Sequence, residues 1–199
     1  CSRDWSSDVC SSDLSSEGGG LMPSYAMLID AAKCTGCGAC RVACQMQWNL
    51  PPDRFYNRLE FREKGQYPKV KQEIYPVQCM HCDNPPCETV CPTKATYKTA
   101  DGIVHVNPKK CIGCKMCMAA CPYDVRQTNE KGIVEKCRFC DDYIAKGEQP
   151  PCVTTCMNSV RVFGDLDDPK SELRRLLDEK HTFTLLPHMG TKPRIFYVR

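Results

Sequence analysis

Apolar residues along this chain come in short runs, and most runs are too brief for a long helix. Tyr25–Asp30 (YAMLID) is a continuous apolar run, which predicts a buried strand leading into the first cysteine-rich segment. Residues 58–63 and 70–77 alternate in character, and a turn at Lys64-Gly65 could join them. This pattern predicts either a β-hairpin or two separate strands.

Three later segments predict short strands. Residues 101–106 and 131–134 each place a glycine ahead of a short apolar run, so each predicts a turn followed by a strand. Residues 194–198 (RIFYV) predict a strand that closes the fold.

The C-terminal part of the sequence also predicts one helix. Asp168 is a candidate N-cap and Pro169 stands where a first helical residue would be. The apolar stripe that would face the core consists of Leu173, Leu176 and Leu177.

Residues 1–21 differ from everything that follows. They show no apolar period, are rich in Ser, Asp and Gly, and lack the apolar core of a signal peptide. Residues 4–14 also match the conceptual translation of a sequencing adapter, so we expect a non-native leader joined to a reading frame that begins at Met22. The alternative is a disordered native tail. In both cases Cys1 and Cys10 are poor candidates for ligands.

Cysteine spacing carries the chemistry of this sequence. Of the 18 cysteines, sixteen fall into four groups of four. Cysteines two residues apart rarely form a disulfide with each other, but they suit metal chelation. The four groups are motif one (Cys34, Cys37, Cys40, Cys44), motif two (Cys79, Cys82, Cys87, Cys91), motif three (Cys111, Cys114, Cys117, Cys121) and motif four (Cys137, Cys140, Cys152, Cys156).

Motif three has the spacing C-x2-C-x2-C-x3-C-P, by which bacterial ferredoxins hold iron–sulfur clusters. Three closely spaced cysteines can surround one cluster, and in two-cluster ferredoxins the fourth ligates the other cluster. Pro122 ends the short helical turn between them because proline has no N–H to donate. Structural zinc is the alternative, and motif four alone could form such a site. Motifs one and three supply a third nearby cysteine that a tetrahedral zinc site does not need.

Composition narrows the function further. The formal charge of +3 would become negative once anionic clusters with thiolate ligands are bound, so we expect no nucleic-acid partner. No run approaches the roughly 18 apolar residues of a membrane span, so we expect any membrane contact to go through a partner. We find no nucleophile–base set, phosphate loop or paired carboxylates, and hence no sign of a substrate pocket.

Other residues near the cysteines have both a functional and a structural interpretation. His81 could tune a potential or accept a proton, but packing or a hydrogen bond to sulfur is the simpler interpretation. Four basic residues lie beside the candidate ligands: Lys110, Lys115, Lys136 and Arg138. Their positive charge should raise the reduction potentials of the clusters, unless they are ordinary solvated side chains. Three methionines are expected to cover the clusters: Met116, Met118 and Met157.

With these motifs, the chain resembles the four-cluster ferredoxin-like iron–sulfur subunits of the dimethyl sulfoxide reductase superfamily. It is most similar to the B subunit of polysulfide and thiosulfate reductases. The resemblance covers about residues 22–199. It rests on Pro23-Ser-Tyr-Ala-Met27 with Ile29-Asp30, Cys79-Met-His-Cys-Asp-Asn-Pro-Pro-Cys87, Cys121-Pro-Tyr-Asp124, Phe163-Gly-Asp-Leu-Asp-Asp-Pro169 and Gly190-Thr-Lys-Pro193.

The resemblance implies an α+β fold with two ferredoxin-like lobes of two clusters each, loop-rich connections, an added β-hairpin and a C-terminal helix. Residues 22–78 with 130–199 would form the first lobe, and residues 79–129 the second. It also implies that the fourth cysteine of each motif ligates the partner motif's cluster. The implied ligand sets are set I (Cys34, Cys37, Cys40, Cys156), set II (Cys44, Cys137, Cys140, Cys152), set III (Cys79, Cys82, Cys87, Cys121) and set IV (Cys91, Cys111, Cys114, Cys117).

Some relatives lack one motif-three cysteine and hold a 3Fe–4S cluster there. Cys114 is present here, so four 4Fe–4S clusters are expected. Gln45 and Met157 stand where motifs two and three have a proline, and neither departure removes a ligand.

The function that the resemblance implies is electron transfer in anaerobic respiration, without catalysis by this polypeptide itself. Single electrons would pass from a quinol-oxidising, multi-span membrane anchor to a catalytic subunit with a molybdenum or tungsten bis-pterin cofactor, which reduces a sulfur compound or a similar acceptor. The alternatives are a subunit of a formate dehydrogenase or hydrogenase complex and, more remotely, a zinc-stapled interaction module. We expect a location peripheral to the cytoplasmic membrane, on the periplasmic face, with the cytoplasmic face as the alternative.

Overall fold

The structure is a computed structural model that describes residues 22–199, so the interpretation of residues 1–21 lies outside it. Short strands and short helices alternate along these residues, which confirms the α+β class. The strands are β1 (Tyr25–Asp30), β2 (Asn57–Gln66), β3 (Lys69–Gln78), β4 (Thr96–Lys98), β5 (Val104–Val106), β6 (Gln127–Thr128), β7 (Val134–Glu135), β8 (Arg161–Asp165) and β9 (Ile195–Val198). The helices are α1 (Ala39–Trp48), α2 (Pro86–Thr89), α3 (Met116–Ala119), α4 (Asp141–Ile144), α5 (Pro151–Thr154) and α6 (Glu172–Glu179).

The central sheet has the order β8-β1-β9, with β1 antiparallel to β8 and parallel to β9. Both faces of β1 are covered, which explains its unbroken apolar sequence. Met27 and Ile29 join the main core with several cysteines, whereas Ala26 and Leu28 pack beneath Leu173 of α6. The predicted first strand and closing strand are therefore confirmed.

The β2–β3 pair is one antiparallel hairpin, so the first of the two alternatives is correct. The predicted turn at Lys64-Gly65 is wrong, because these residues pair with Lys71 and Val70 inside the ladder. The chain reverses instead at Tyr67-Pro68, where proline fixes a turn conformation and has no N–H to contribute to a ladder. Only the base of the hairpin is buried, so its outer half projects as an exposed arm.

Helix α6 carries the predicted stripe, with Leu173 fully buried and Leu176 and Leu177 partly buried. Its predicted start is wrong, because the helix begins at Glu172 with Ser171 at the N-cap position. Asp168 accepts hydrogen bonds from the N–H groups of Lys170 and Ser171 and forms a turn ahead of the helix. Aspartate readily makes such local bonds in competition with capping.

The predicted turn–strand units at 101–106 and 131–134 are confirmed, and they form two small hairpins with the same construction. In the β4–β5 hairpin the N–H of Thr99 donates to Ile103, and in the β6–β7 hairpin the N–H of Asn129 donates to Ile133. Each hairpin leads into a cysteine motif, so the repeat seen in the sequence is also a structural repeat. Across residues 22–199, no helix combines the length and the apolar character needed to cross a bilayer.

Candidate metal centres

Three cavities are each lined by four cysteines from two different motifs. All four members of set I line one cavity. All four members of set II line a second, and all four members of set IV line a third. In each case three cysteines come from one motif and the remaining one from its partner.

The members of set III also lie together. Burial, and next the charge of Cys79, raise the pKa of the Cys82 thiol to about 12, and Cys87 and Cys121 act in the same direction. Such mutual effects require short distances between the sulfurs. The structure therefore groups all sixteen cysteines as the resemblance implied, although ligation itself remains a prediction.

Local backbone geometry explains why the motifs can divide their cysteines. Cys40 and Cys44 lie one helical turn apart on α1, and they line the cavities of set I and set II respectively. Ahead of this helix, Gly36 adopts φ +72°, where a Cβ would lie 3.0 Å from Ile74 of the hairpin. Glycine thus lets the cysteine loop approach the hairpin base.

Buried thiols in these groups resist ionisation without a cation. Burial, and next the neighbouring Cys152, raise the pKa of Cys44 and of Cys140 to about 12. Four thiolates together would repel one another and lose hydration, which bound iron would offset. Within residues 22–199, no three Cys, His, Asp or Glu side chains are placed to hold a single metal ion; the cysteines surround cavities instead.

Buried polar atoms without a hydrogen-bond partner supply an independent test of which kind of cofactor fits these sites. Among the described residues these atoms are the Nε of Arg41, the Nδ2 of Asn57, the Nε2 of His81 and the Nη2 of Arg126. The three from Arg and Asn are N–H donors. His81 accepts a hydrogen bond at Nδ1 from the N–H of Val104 (3.1 Å), so its neutral ring carries the proton on Nε2. Among the described residues the unpaired buried atoms are thus all donors, and Asn57 lines the set II cavity, which favours an acceptor-rich anionic group such as an iron–sulfur cluster.

Backbone N–H groups already point at several sulfurs. Cys91 accepts from Ala95 (3.2 Å) and Cys156 accepts from Val160 (3.4 Å), the same spacing of four residues in motifs two and four. Although burial opposes it, hydrogen bonds from the N–H of Thr96, the hydroxyl of Thr93 and the N–H of Ala95 lower the pKa of Cys91. Hydrogen bonds to sulfur stabilise negative charge and are one means by which proteins tune cluster potentials.

The four sets follow one another in space. Burial raises the pKa of Cys152 in set II, and Cys40 of set I adds to the rise. Burial also raises the pKa of Cys137 in set II, and Cys79 of set III is among the thiols that contribute. Set III in turn neighbours set IV, because both act on the guanidinium of Arg126. The order is therefore I–II–III–IV.

Only the two ends of this order have an exposed cysteine among residues 22–199. Cys37 of set I and Cys114 of set IV are exposed, whereas every cysteine of set II is buried and Cys121 is the one member of set III that is not. Exposed apolar side chains lie near both ends, with Val42, Met46 and Met157 in the chain segments of set I, and Ile112 and Met116 beside Cys114.

Other residues singled out in the sequence have mixed outcomes. His81 is fully buried and its ring stacks on Phe139 at 3.8 Å, so packing is the correct interpretation. Lys110 and Lys115 are exposed, whereas Lys136 is buried. Arg138 pairs with two aspartates and lies over Trp48.

Two basic residues near the cysteines were missed by the sequence analysis. Arg126 and Arg161 are 3% and 2% exposed. A signal existed for Arg161, because it alternates with Phe163 on the inward face of β8. No comparable pattern surrounds Arg126.

Comparison with known proteins agrees with this geometry. Two family models described as 4Fe-4S dicluster domain match residues 33–95 and residues 70–166. The chain is 42% identical to the B chain of polysulfide reductase from Wolinella succinogenes, over 87% of this sequence and 93% of that protein. It is 40% identical to the B subunit of tetrathionate reductase from Salmonella typhimurium, over 87% and 72%, and 37% identical to the B subunit of sulfite dehydrogenase from Allochromatium vinosum, over 89% and 83%.

The matched domains are iron–sulfur domains, and the sixteen cysteines among residues 22–199 fit four 4Fe–4S clusters rather than structural zinc. The similarity spans most of this sequence and most of each relative. This protein therefore belongs to the family of ferredoxin-like iron–sulfur B subunits of the dimethyl sulfoxide reductase superfamily.

Proposed function

We propose that sets I to IV each hold one 4Fe–4S cluster and that this protein is the electron-transfer subunit of a respiratory oxidoreductase complex. A bound 4Fe–4S cluster supplies reversible one-electron chemistry. The residues of the chain would hold the clusters in a fixed order, exclude water from the inner two and leave the outer two close to the surface. The single observation that carries the proposal is the linear order I–II–III–IV with an exposed cysteine at each end.

Two ends imply two partners. Each of the three relatives is named as the second lettered component of an enzyme, which supports an assembly with other subunits. We place a molybdenum or tungsten bis-pterin catalytic subunit at the set I end and a multi-span, quinol-oxidising membrane anchor at the set IV end. The exposed apolar side chains near Cys37 and Cys114 would be covered in such an assembly.

The complex would lie at the cytoplasmic membrane through its anchor, with this protein on the periplasmic face. Electrons would run from the anchor towards the catalytic subunit, which reduces a sulfur compound or a similar acceptor. The two lobes would comprise residues 22–78 with 130–199, carrying sets I and II, and residues 79–129, carrying sets III and IV, with each ligand crossing between two motifs of the same lobe. A formate dehydrogenase or hydrogenase complex is the second candidate, and reduction of the clusters by formate or hydrogen would favour it.

Metal analysis of the complex, purified without oxygen, tests the ligand sets. Four complete sets predict roughly sixteen iron and sixteen sulfide per chain. About twelve iron, without an EPR signal from a 3Fe–4S centre, would show that one set is wrong. Visible absorption that does not bleach with dithionite would contradict the whole proposal.

Two pairs of cysteine substitutions test whether the ligands cross between motifs. Cys44→Ser should perturb the EPR signal of the same cluster as Cys137→Ser, because both residues line the set II cavity. Cys156→Ser should instead perturb the same signal as Cys34→Ser. If Cys44→Ser and Cys34→Ser altered one common signal, each motif would hold its own cluster and the crossed sets would be wrong.

A further inference from the structure

Three buried basic side chains lack an acidic partner. Arg126, Lys136 and Arg161 are each at most 3% exposed. Among residues 22–199 none of the three forms a salt bridge with an aspartate or glutamate. A buried charge without a counter-charge is strongly unfavourable, so the compensating negative charge must come from another group.

Arg161 lies between set I and set II. Its Nη2 donates to Asn57 (2.9 Å) and approaches the Sγ of Cys40 in set I at 3.8 Å, while its Nη1 donates to Gln78 (2.6 Å). These carbonyl acceptors are neutral. Arg161 itself lines the set I cavity, whereas its acceptors Asn57 and Gln78 line the set II cavity, so a permanently charged guanidinium lies between the two sets.

Arg126 occupies the corresponding place between set III and set IV. Its Nη1 donates to Thr96 (3.2 Å), whereas its Nη2 is a buried donor without a partner among the described residues. Thr96 lines the set IV cavity, and on the other side the charge of Arg126 interacts with Cys87 and Cys79 of set III.

Lys136 lies between set II and set III. It directly precedes Cys137 of set II, and its Nζ donates to the carbonyl oxygens of Cys137 (2.8 Å) and of Val104. Val104 packs in one buried cluster with Cys87 of set III, so Lys136 joins the backbone of set II to the packing around set III. Each gap in the order I–II–III–IV therefore contains one buried cation.

We propose that these three cations are shared counter-charges, each of which raises the reduction potential of both clusters beside it. The inference rests on the proposed ligand sets. One-electron reduction of a cluster adds one negative charge close to a buried positive charge, and the low local polarity leaves this attraction weakly screened. Because each cation serves two neighbours, its removal should shift two potentials in the same direction.

The test is an anaerobic redox titration followed by EPR on the intact complex, with three charge-removing variants. Arg161→Gln should lower the potentials of two clusters, those of sets I and II, and leave the other two unchanged. Arg126→Gln should lower those of sets III and IV, and Lys136→Gln those of sets II and III. We expect at least a tenfold decrease in each one-electron reduction equilibrium constant, which is about 59 mV for one electron.

Two further variants separate charge from other causes. Lys71→Gln removes the same charge from the exposed hairpin arm and should leave all four potentials unchanged. Arg161→Lys keeps the charge and should retain potentials near those of the unmodified protein. If Arg161→Gln loses iron whereas Arg161→Lys keeps four clusters, the charge requirement is supported; if both lose iron, the shape of arginine matters and the inference is overturned.

The outcomes also distinguish this inference from the proposed function. Fewer than four clusters in the unmodified complex would contradict the ligand sets themselves. Four clusters whose potentials do not move in any of the three charge-removing variants would overturn the counter-charge inference alone. An equal shift in Lys71→Gln would also overturn it, because the effect would then be one of overall charge.

Discussion

Phe139 offers a direct test of how sets II and III are held together. Its ring stacks on His81 at 3.8 Å and meets Phe163 edge-on at 5.2 Å. His81 lies between two cysteines of set III, and Phe139 lies between Cys137 and Cys140 of set II. Both rings are almost completely buried, so this stack closes the boundary between the two inner sets.

We expect Phe139→Ala to destabilise the loaded protein by about 3–5 kcal/mol. Truncation of a buried phenylalanine typically costs this amount, because apolar burial is lost and a cavity remains. The aromatic pairs add about 0.5–1.5 kcal/mol beyond burial, which favours the upper part of the range. Unfolding that releases iron is irreversible, so the loss is best measured as a rate.

The assay is the rate at which a chelator captures iron in moderate urea, without oxygen. If the boundary is open in the unfolding transition state, about 3–5 kcal/mol corresponds to a release about 10²- to 4 × 10³-fold faster, at roughly 1.4 kcal/mol per factor of ten. Phe139→Leu keeps most of the buried volume and should show a much smaller effect.

Phe61→Ala is the matched control, because Phe61 is 55% exposed on the hairpin arm. It should change the rate by less than about threefold, as most surface substitutions cost less than about 0.5 kcal/mol. If Phe139→Ala also changed the rate less than threefold with all four clusters present, this stack would not hold the inner boundary.

Three further predictions follow from other parts of the molecule. Cys114→Ser should convert the set IV cluster to a 3Fe–4S centre and abolish most quinol-driven turnover. An artificial electron donor to the catalytic subunit should still support activity. Intact quinol-driven turnover in a variant that shows the 3Fe–4S EPR signal would contradict the placement of set IV at the anchor. Leu173→Ala should speed iron release in the same chelator assay, because Leu173 is fully buried against β1 and truncation of such a leucine costs about 2–5 kcal/mol. Gly102→Ala should speed iron release in that assay more than Gly132→Ala does. Both glycines have positive φ, but only at Gly102 would a Cβ collide with Arg194, which pairs with Asp83 at 2.6 Å. Equal rates in the two variants would refute this account.

Cysteine spacing was enough to predict the metal chemistry, because an iron–sulfur motif is short and local. Apolar runs likewise predicted β1 and β9, since a strand covered on both faces needs apolar residues at every position. Both patterns depend on the segment itself, and tertiary context did not change them.

The predictions that failed depend on competition between local signals. Lys64-Gly65 is a plausible turn by composition, but Tyr67-Pro68 two residues later is the stronger one and sets the register of the whole hairpin. Asp168 could cap a helix, yet it bonds the backbone of its own turn. Sequence reasoning can identify each option and cannot rank their energies.

Arg126 and Arg161 show a different limit. A buried charge is stabilised by groups distant in the sequence: Arg161 meets Asn57 and Gln78, which lie 104 and 83 positions away. The sequence contains no local trace of such a partner. Only the three-dimensional arrangement of the four motifs shows that a buried cation lies in each gap between neighbouring sets.

The composition of the core links cluster binding to folding. Among the 21 residues of the main buried cluster, six are cysteines of sets I, II and III, and they occupy positions where aliphatic side chains would otherwise pack. Without bound iron these thiols and the buried cations between them would be left around cavities, with unpaired donors and no counter-charge. Iron binding therefore supplies folding free energy as well as redox chemistry. We therefore expect the interior to reach its packed state only as the clusters are inserted, so that the faces near Cys37 and Cys114 become competent for partners only in the loaded protein.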